Sequence, residues 1–306
     1  MGELGQFFAD HFSWIDDPAV VSRQLLVGLS NAGLLFLISA GLTLIFGVSR
    51  IINFAHGLFY MLGAYAAFSV AQRVDNTDLA FLLALVVGPL ALAVAGAACE
   101  SLLLRRLSQT EHIYQLLLTF ALVLIGVELV KLQWGTQSQT VSVPDIIQGV
   151  VRRDGFVFPY YRLAVTAAAG LAAVAMFLLL RTRWGMAVRA AALDREMVEA
   201  MGIDTRLLSS QVFALGSALA GLAGVLAAPV TAIDPGLQAT VLADCFIVAV
   251  VGGLGSVTGA LAVSVLLGQT YSFGTLSFPD LAVAVPFAVM AAVLVVRPWG
   301  LLGARE

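Results

Sequence analysis

The chain is 306 residues long, 60% of them apolar and only 11% charged, with a mean hydropathy of +0.97. A soluble domain carries roughly 25% charged residues and about 45–50% apolar ones, so these few charges cannot clothe a water-soluble body of this size. The formal net charge of −3 also argues against a polyanion partner, which requires a basic face. A soluble enzyme, a disordered chain and a nucleic-acid binder are thereby set aside, and an integral membrane protein remains.

The start of the chain carries Glu3, Asp10, Asp16 and Asp17 and no Lys or Arg before residue 22, the reverse of a secretory leader. Together with Phe7, Phe8, Phe12 and Trp14 these residues are expected to form an external segment, 1–22. A bilayer-spanning helix needs about 20 apolar residues, because unpaired backbone groups cannot be left in lipid. Such runs fall at 24–47, 57–72, 79–104, 113–133, 160–180 and 207–228, followed by a broken pair at 241–254 and 256–273 and a last run at 281–296. The expectation is an all-α polytopic bundle of 8–9 transmembrane helices with broken or re-entrant segments, forming a single domain over 1–306.

Between the first two runs stands GLTLIFGVSRIINFAHGLFYMLGAY, where Asn53, His56 and Gly57 interrupt otherwise continuous apolar sequence. Asn and His can satisfy backbone groups freed at a turn, or hydrogen-bond a polar solute. Further along, Glu100 and Glu128 lie near the ends of their runs and are expected to reach interfacial water. The connection 134–159 is long enough to be structured; its Val- and Phe-rich pieces flank Asp154-Gly155, a hairpin signal.

The connection 181–206 reads RTRWGMAVRAAALDREMVEAMGIDTR. Met186, Ala190, Leu193, Met197 and Met201 share one face of a helix, while Arg189, Asp194, Arg195, Glu196 and Glu199 fall off that stripe and Gly202 sits where a C-terminal cap belongs. An interfacial helix resting on lipid headgroups favours Lys and Arg on its polar face, so this mixed-sign flank suits a protein partner better. Beyond it, Gly216, Ala220 and Gly224 form a small-residue seam suited to helix packing.

In the broken pair, Asp244 is an ionisable group at membrane depth, which is expensive and points to function. Gly252, Gly253, Gly255 and Gly259 imitate a dinucleotide fingerprint, but Gly259 arrives one residue late and the following segment is apolar, so a helix break is the better reading. Interrupted segments near both ends of a transporter chain point to a solute site, since half-helix ends present N–H and C=O groups at depth. Asn53, His56, Gly57, Asp244, Gly252, Gly253 and Gly255 are therefore the candidate substrate-pathway residues.

No paired catalytic acids and no metal-ligand cluster occur. Cys99 and Cys245 lie in apolar runs as small hydrophobes. The sole lysine, Lys131, has no glycine beside it, so a phosphate-cradling Walker motif is absent and any ATP must be bound by another polypeptide. Placing the arginine-rich connections in the cytoplasm leaves 10 of the 16 basic residues inside, the N-terminus outside and the C-terminus inside, which requires an odd number of crossings, hence nine.

Three stretches in order, GLTLIFGVSRIINFAHGLFYMLGAY, RTRWGMAVRAAALDREMVEAMGID and VLADCFIVAVVGGLGSVTGALA, resemble the Liv-type permeases, the membrane subunits of bacterial branched-chain amino-acid ABC importers. That resemblance implies an inner-membrane location, a second permease subunit expected to be a different chain, two cytoplasmic ATPase subunits and a periplasmic binding protein. It also places Arg189, Asp194, Glu196, Glu199 and Gly202 in the ATPase-contacting loop. The function expected is translocation of branched-chain or other apolar amino acids, with no covalent chemistry and no cofactor in this chain. Urea, short amides and aromatic acids are alternative solutes of the same family. An ion-coupled secondary transporter, with Asp244 and His56 titrating, and a passive channel are readings from other classes.

Overall fold

The computed structural model describes residues 12–50, 53–107, 111–153, 156–281, 284–297 and 299–302. Phe7, Phe8, Arg305 and the expected turn at Asp154-Gly155 lie outside the described residues. In chain order the helices are α1 (Pro18–Ser49), α2 (His56–Ala71), α3 (Thr77–Leu102), α4 (His112–Trp134), α5 (Tyr160–Leu180), α6 (Arg183–Leu193), α7 (Arg195–Ala200), α8 (Thr205–Ala227), α9 (Leu237–Gly252), α10 (Val257–Ser277) and α11 (Val285–Val296). Before α5 the strands β1 (Val150–Arg153) and β2 (Phe156–Pro159) pair antiparallel, Val151 opposite Phe158.

Local chemistry sets many of the helix ends. Asp17 caps α1, its carboxylate accepting from the Ala19 amide at 2.9 Å, with Pro18 at the first helical position where its missing N–H costs nothing. This starts α1 inside the stretch expected to be external. Asn76, Asp204 and Ser256 cap α3, α8 and α10 in the same manner. Five helices, α1, α3, α4, α5 and α8, are long and apolar enough to cross a bilayer, which makes the chain a multi-pass membrane protein. With 16 residues each, α2 and α9 measure about 24 Å, short of the roughly 30 Å hydrocarbon core.

Two helices form the centre. Of their most apolar stretches, 72% is buried in α1 and 67% in α8, against 22% in α4 and 17% in α5. α1 packs along α10, α8 and α5, while α8 packs along α3, α2 and α1. The outer helix α4 turns Leu117, Phe120, Leu124, Ile125 and Leu132 outward, a surface fit for lipid. Contact between the central pair is backbone to backbone: a Cβ on Gly41 of α1 would lie 2.5 Å from the Gly216 carbonyl oxygen of α8. Without a hydrophobic drive between helices in lipid, such close approach supplies the attraction. The seam expected at Gly216, Ala220 and Gly224 is thus a packing seam, with Gly224 against the Tyr60 carbonyl of α2.

Connections gather at two ends. At one, the Trp14 indole donates to Ser277 Oγ (2.9 Å), Thr77 donates to Asp145 (2.8 Å), and Gln139 bridges to Ile233. At the other, Arg50 donates to the Ala192 carbonyl (3.4 Å), Arg105 to the Arg206 carbonyl (3.2 Å), and Gly255 lies against Gly47. This second, basic end collects the arginine-rich connections.

Two expectations need correction. The helix over 186–201 is broken at Asp194, whose carboxylate accepts from the Met197 amide (3.0 Å) and so caps a new helix, α7. Its apolar stripe also faces outward, with Met186 52%, Leu193 82%, Met197 59% and Met201 71% exposed, while Val188, Ala191 and Val198 make the inward contacts. Glu100 does not reach interfacial water: it is 4% exposed, paired with Arg105 at 2.7 Å and hydrogen-bonded by Ser210 of α8. Glu128 is exposed and pairs with Lys131 at 2.7 Å.

Candidate functional site

The first candidate is a helix junction inside the bundle. α1 ends at Arg50, in a left-handed conformation with φ 53°. The chain then turns back, because His56 Nε2 donates to the Ile38 carbonyl at 2.8 Å. Ile38 precedes Arg50 by twelve residues, about 18 Å along the helix axis, so α2 starts at depth rather than at the basic end. Asn53 shapes the approach: its side-chain oxygen accepts from the Ala55 amide (3.0 Å) and its carbonyl from the His56 amide (3.2 Å). Asn53 and His56 are both fully buried, and Asn53 Nδ2 and His56 Nδ1 have no hydrogen-bond partner among the described residues.

Here α2 meets α9. Gly57 faces the first turns of α9, where any side chain would run into the Gln238 carbonyl and come within 3.0 Å of Leu242 Cβ. Phe54 and Phe246 lie with ring centroids 5.8 Å apart beside this contact. The two short helices therefore adjoin at their N-terminal ends and diverge, α2 away from the basic end and α9 towards it. Asp244, half-buried on α9, accepts a hydrogen bond from Tyr271 Oη of α10 at 2.6 Å.

The remaining predicted pathway residues sit elsewhere. Gly252 ends α9 with its backbone against Gly259, and Gly253 (φ 98°) and Gly255 (φ 86°) make the turn into α10 in conformations that favour glycine. Leu301 closes this corner, its amide donating to the Val251 carbonyl at 2.7 Å. Gly252 is 14 residues from Gln238, about 21 Å down the axis of α9, so the glycines mark the corner at the basic end and not the junction.

The second candidate is an open cleft of about 940 Å³ at the basic end, where Arg105 and Arg106 face Glu196, Glu199, Gly202, Asp204 and Arg206. Its walls are built by local bonds. Gly202 (φ 83°) turns the chain out of α7, its amide donating to the Glu199 carbonyl (2.9 Å). The Thr205 hydroxyl and Arg195 guanidinium hold the Glu199 carboxyl below the usual range, and the Leu207 amide, followed by that of Arg206, does the same for Asp204. Both acids are therefore charged at neutral pH. Glu196 is exposed and makes no ion pair among the described residues. Arg189 donates instead to the Leu180 carbonyl, tying α6 to the end of α5, and Asp194 is used as the cap of α7.

Three contributors were not among the residues predicted. Tyr271 pairs with Asp244 across 27 positions, a separation that carries no local signal. Arg105 and Arg106 share the cleft with α7, for which the dibasic pair after the third run was the available sign. Among the described residues no group of His, Cys, Asp and Glu could hold a metal ion.

The chain is similar to known proteins along most of its length. Residues 24–294 match the family described as branched-chain amino acid transport system / permease component. The chain is 29% identical over 295 residues to the high-affinity branched-chain amino acid transport system permease protein BraD of Pseudomonas aeruginosa, covering 93% of this chain and 96% of that one. It is 30% identical over 298 residues to the corresponding protein LivH of Escherichia coli K12, with the same coverages. A probable branched-chain amino acid transport permease protein LivH of Methanocaldococcus jannaschii is 28% identical, with 89% of each chain covered. Among solved structures, a chain of PsaBC from Streptococcus pneumoniae in complex with Fab superposes with a TM-score of 0.50 at 11% identity, over 96% of this chain and 94% of that one, a likeness of fold.

Proposed function

The chain belongs to the permease components of branched-chain amino acid transport systems, and from that premise we propose how it works: it is one half of a translocation path for branched-chain or other apolar amino acids in the bacterial inner membrane. Its basic end faces the cytoplasm, following the bias of arginines toward that side. Nine helices, α1–α5 and α8–α11, cross or re-enter the bilayer. A periplasmic binding protein delivers the solute to the opposite end, a second permease subunit completes the path, and two ATPase subunits dock on α6 and α7. Asn53, His56, Gly57 and Asp244 line or support the path at the α2–α9 junction, and Gly252, Gly253 and Gly255 form the corner below it.

The observation that carries the coupling role is the exposure of four large apolar side chains, Met186 and Leu193 on α6, Met197 on α7 and Met201 at its C-terminal cap. Met197 and Met201 alternate in the chain with Glu196 and Glu199, which line the cleft with the arginines, and Met186 and Leu193 stand exposed on α6 before the break at Asp194. A flexible apolar ridge flanked by charges of both signs suits a protein groove. An ion-gradient transporter or a passive channel has no use for such a ridge.

The double reversal Glu196→Arg, Glu199→Arg tests this. In cells or proteoliposomes containing the assembled importer, ATP-driven leucine uptake should fall at least about tenfold, since like charges placed across an interface cost several kcal/mol. The amount of chain in the membrane should not change. Unchanged uptake by the double variant, or leucine accumulation by the purified chain alone, removes the reading.

A further inference from the structure

We propose that Asp244, oriented by Tyr271, binds the ammonium group of the translocated amino acid; this rests on the transport reading above and adds to it the chemical group that is recognised and the surface on which it is held. A carboxylate inside a membrane-spanning bundle is costly and pairs with a cation or lines a polar path. Asp244 makes no ion pair among the described residues. Its hydrogen bond comes from the phenol of Tyr271, 2.6 Å away, which fixes the carboxylate without neutralising it. The carboxylate is thus held in place and still lacks a cation.

Its setting points to an amino acid. Asp244 is only half-buried, and Thr240, one turn earlier on the same face of α9, is exposed, so this face opens outward rather than into the packed interior. Leu242, two residues from Asp244, touches the N-terminal end of α2 at Gly57. Next to it, Asn53 Nδ2 and His56 Nδ1 are buried without partners among the described residues. On the transport reading the solute brings an ammonium group, the cation that Asp244 lacks; Asn53 Nδ2 is a spare donor at the start of α2, whereas His56 Nδ1, with Nε2 already donating to Ile38, is an acceptor. Asp244 touches the solute, whereas Tyr271 is a positioning residue.

The test uses the complete importer carrying Cys99→Ala, Cys245→Ala and Thr240→Cys. The introduced thiol is treated with aminoethyl and sulfonatoethyl methanethiosulfonates, which are similar in size and opposite in charge. The cationic reagent should react at least about tenfold faster, as expected for a carboxylate one turn away in a partly solvated site, and leucine should slow it. Adding Asp244→Asn should bring the two rates together, while Tyr271→Phe should keep the preference and weaken the protection by leucine. Uptake of leucine by the Asp244→Asn importer should fall at least about tenfold, with the yield of assembled complex unchanged and partial recovery in Asp244→Glu. A thiol that reacts with neither reagent, or a preference that survives Asp244→Asn, overturns the proposal. So does dissociation of the Asp244→Asn complex in mild detergent, which would make the acid an ion-pair partner of the neighbouring subunit. A Thr240→Cys importer with Asp244 intact that keeps the charge preference, while the wild-type importer takes up no leucine, fails the transport reading instead, and the amino acid falls as occupant with it.

Discussion

At His56 an imidazole takes the part of a backbone amide, donating to a carbonyl in the middle of α1 while opening the next helix. The Ile38 carbonyl keeps its helical partner within α1, so this additional bond is worth about 0.5–1.5 kcal/mol. His56→Phe should therefore lower the melting temperature of the detergent-solubilised protein, and His56→Gln, whose amide can still donate, should recover part of the loss. Equal melting of both variants and the wild type would mean that the contact contributes no stability. Asn53→Ala should weaken transport through the same turn, because its side chain caps the approach to α2. Glu100 follows a similar logic: it binds Arg105 and Ser210, so α3 and α8 are tied at the basic end through one carboxylate.

Among the helices, the contact of α1 with α8 tolerates least change. Gly216→Val places a branched side chain against Ile45 and the Gly41 carbonyl, and overpacking of this kind costs about 1–3 kcal/mol or more. Reduced yield of folded protein, read by monodispersity in detergent, is expected for Gly216→Val but not for Gly170→Val, where a Cβ meets nothing within 4 Å. A Gly216→Val protein as abundant and monodisperse as wild type would show that the seam can separate freely. Helices of this bundle were legible in the sequence because lipid permits few alternatives: the run predicted at 160–180 is α5 residue for residue, and that at 113–133 is α4 to within a residue at each end. The break at Asp194 was not read, although Asp is a preferred cap; the apolar period continues through Leu193, Met197 and Met201 and masked it. Exposure of that row was hidden for a different reason. Periodicity shows that residues share a face but not which way the face points, and here the small residues Gly185 and Ala191, with Val188, face inward. Contacts such as Asp244 with Tyr271 and Glu100 with Ser210 join distant positions and depend on helix placement that no local pattern encodes.

The whole molecule has a sidedness that can be checked directly. Asp75 lies in the short connection after α2, and Arg206 in the first turn of α8 at the other end. With native cysteines replaced by alanine, Asp75→Cys should react with a membrane-impermeant thiol reagent in intact spheroplasts. Arg206→Cys should react only after permeabilisation. The opposite pattern would turn α6 and α7 outward, away from any cytoplasmic ATPase.

The glycine-to-glycine weld of α1 onto α8 has a mechanical consequence. Two rods joined that closely act as a fixed post: neither can slip by a turn without lifting one backbone over the other. On the transport reading proposed above, opening and closing then come from rocking of the lighter pieces around the post, with the butted ends of α2 and α9 as the place where a small tilt separates them. A gate built this way needs little travel, since separating two helix tips exposes both at once.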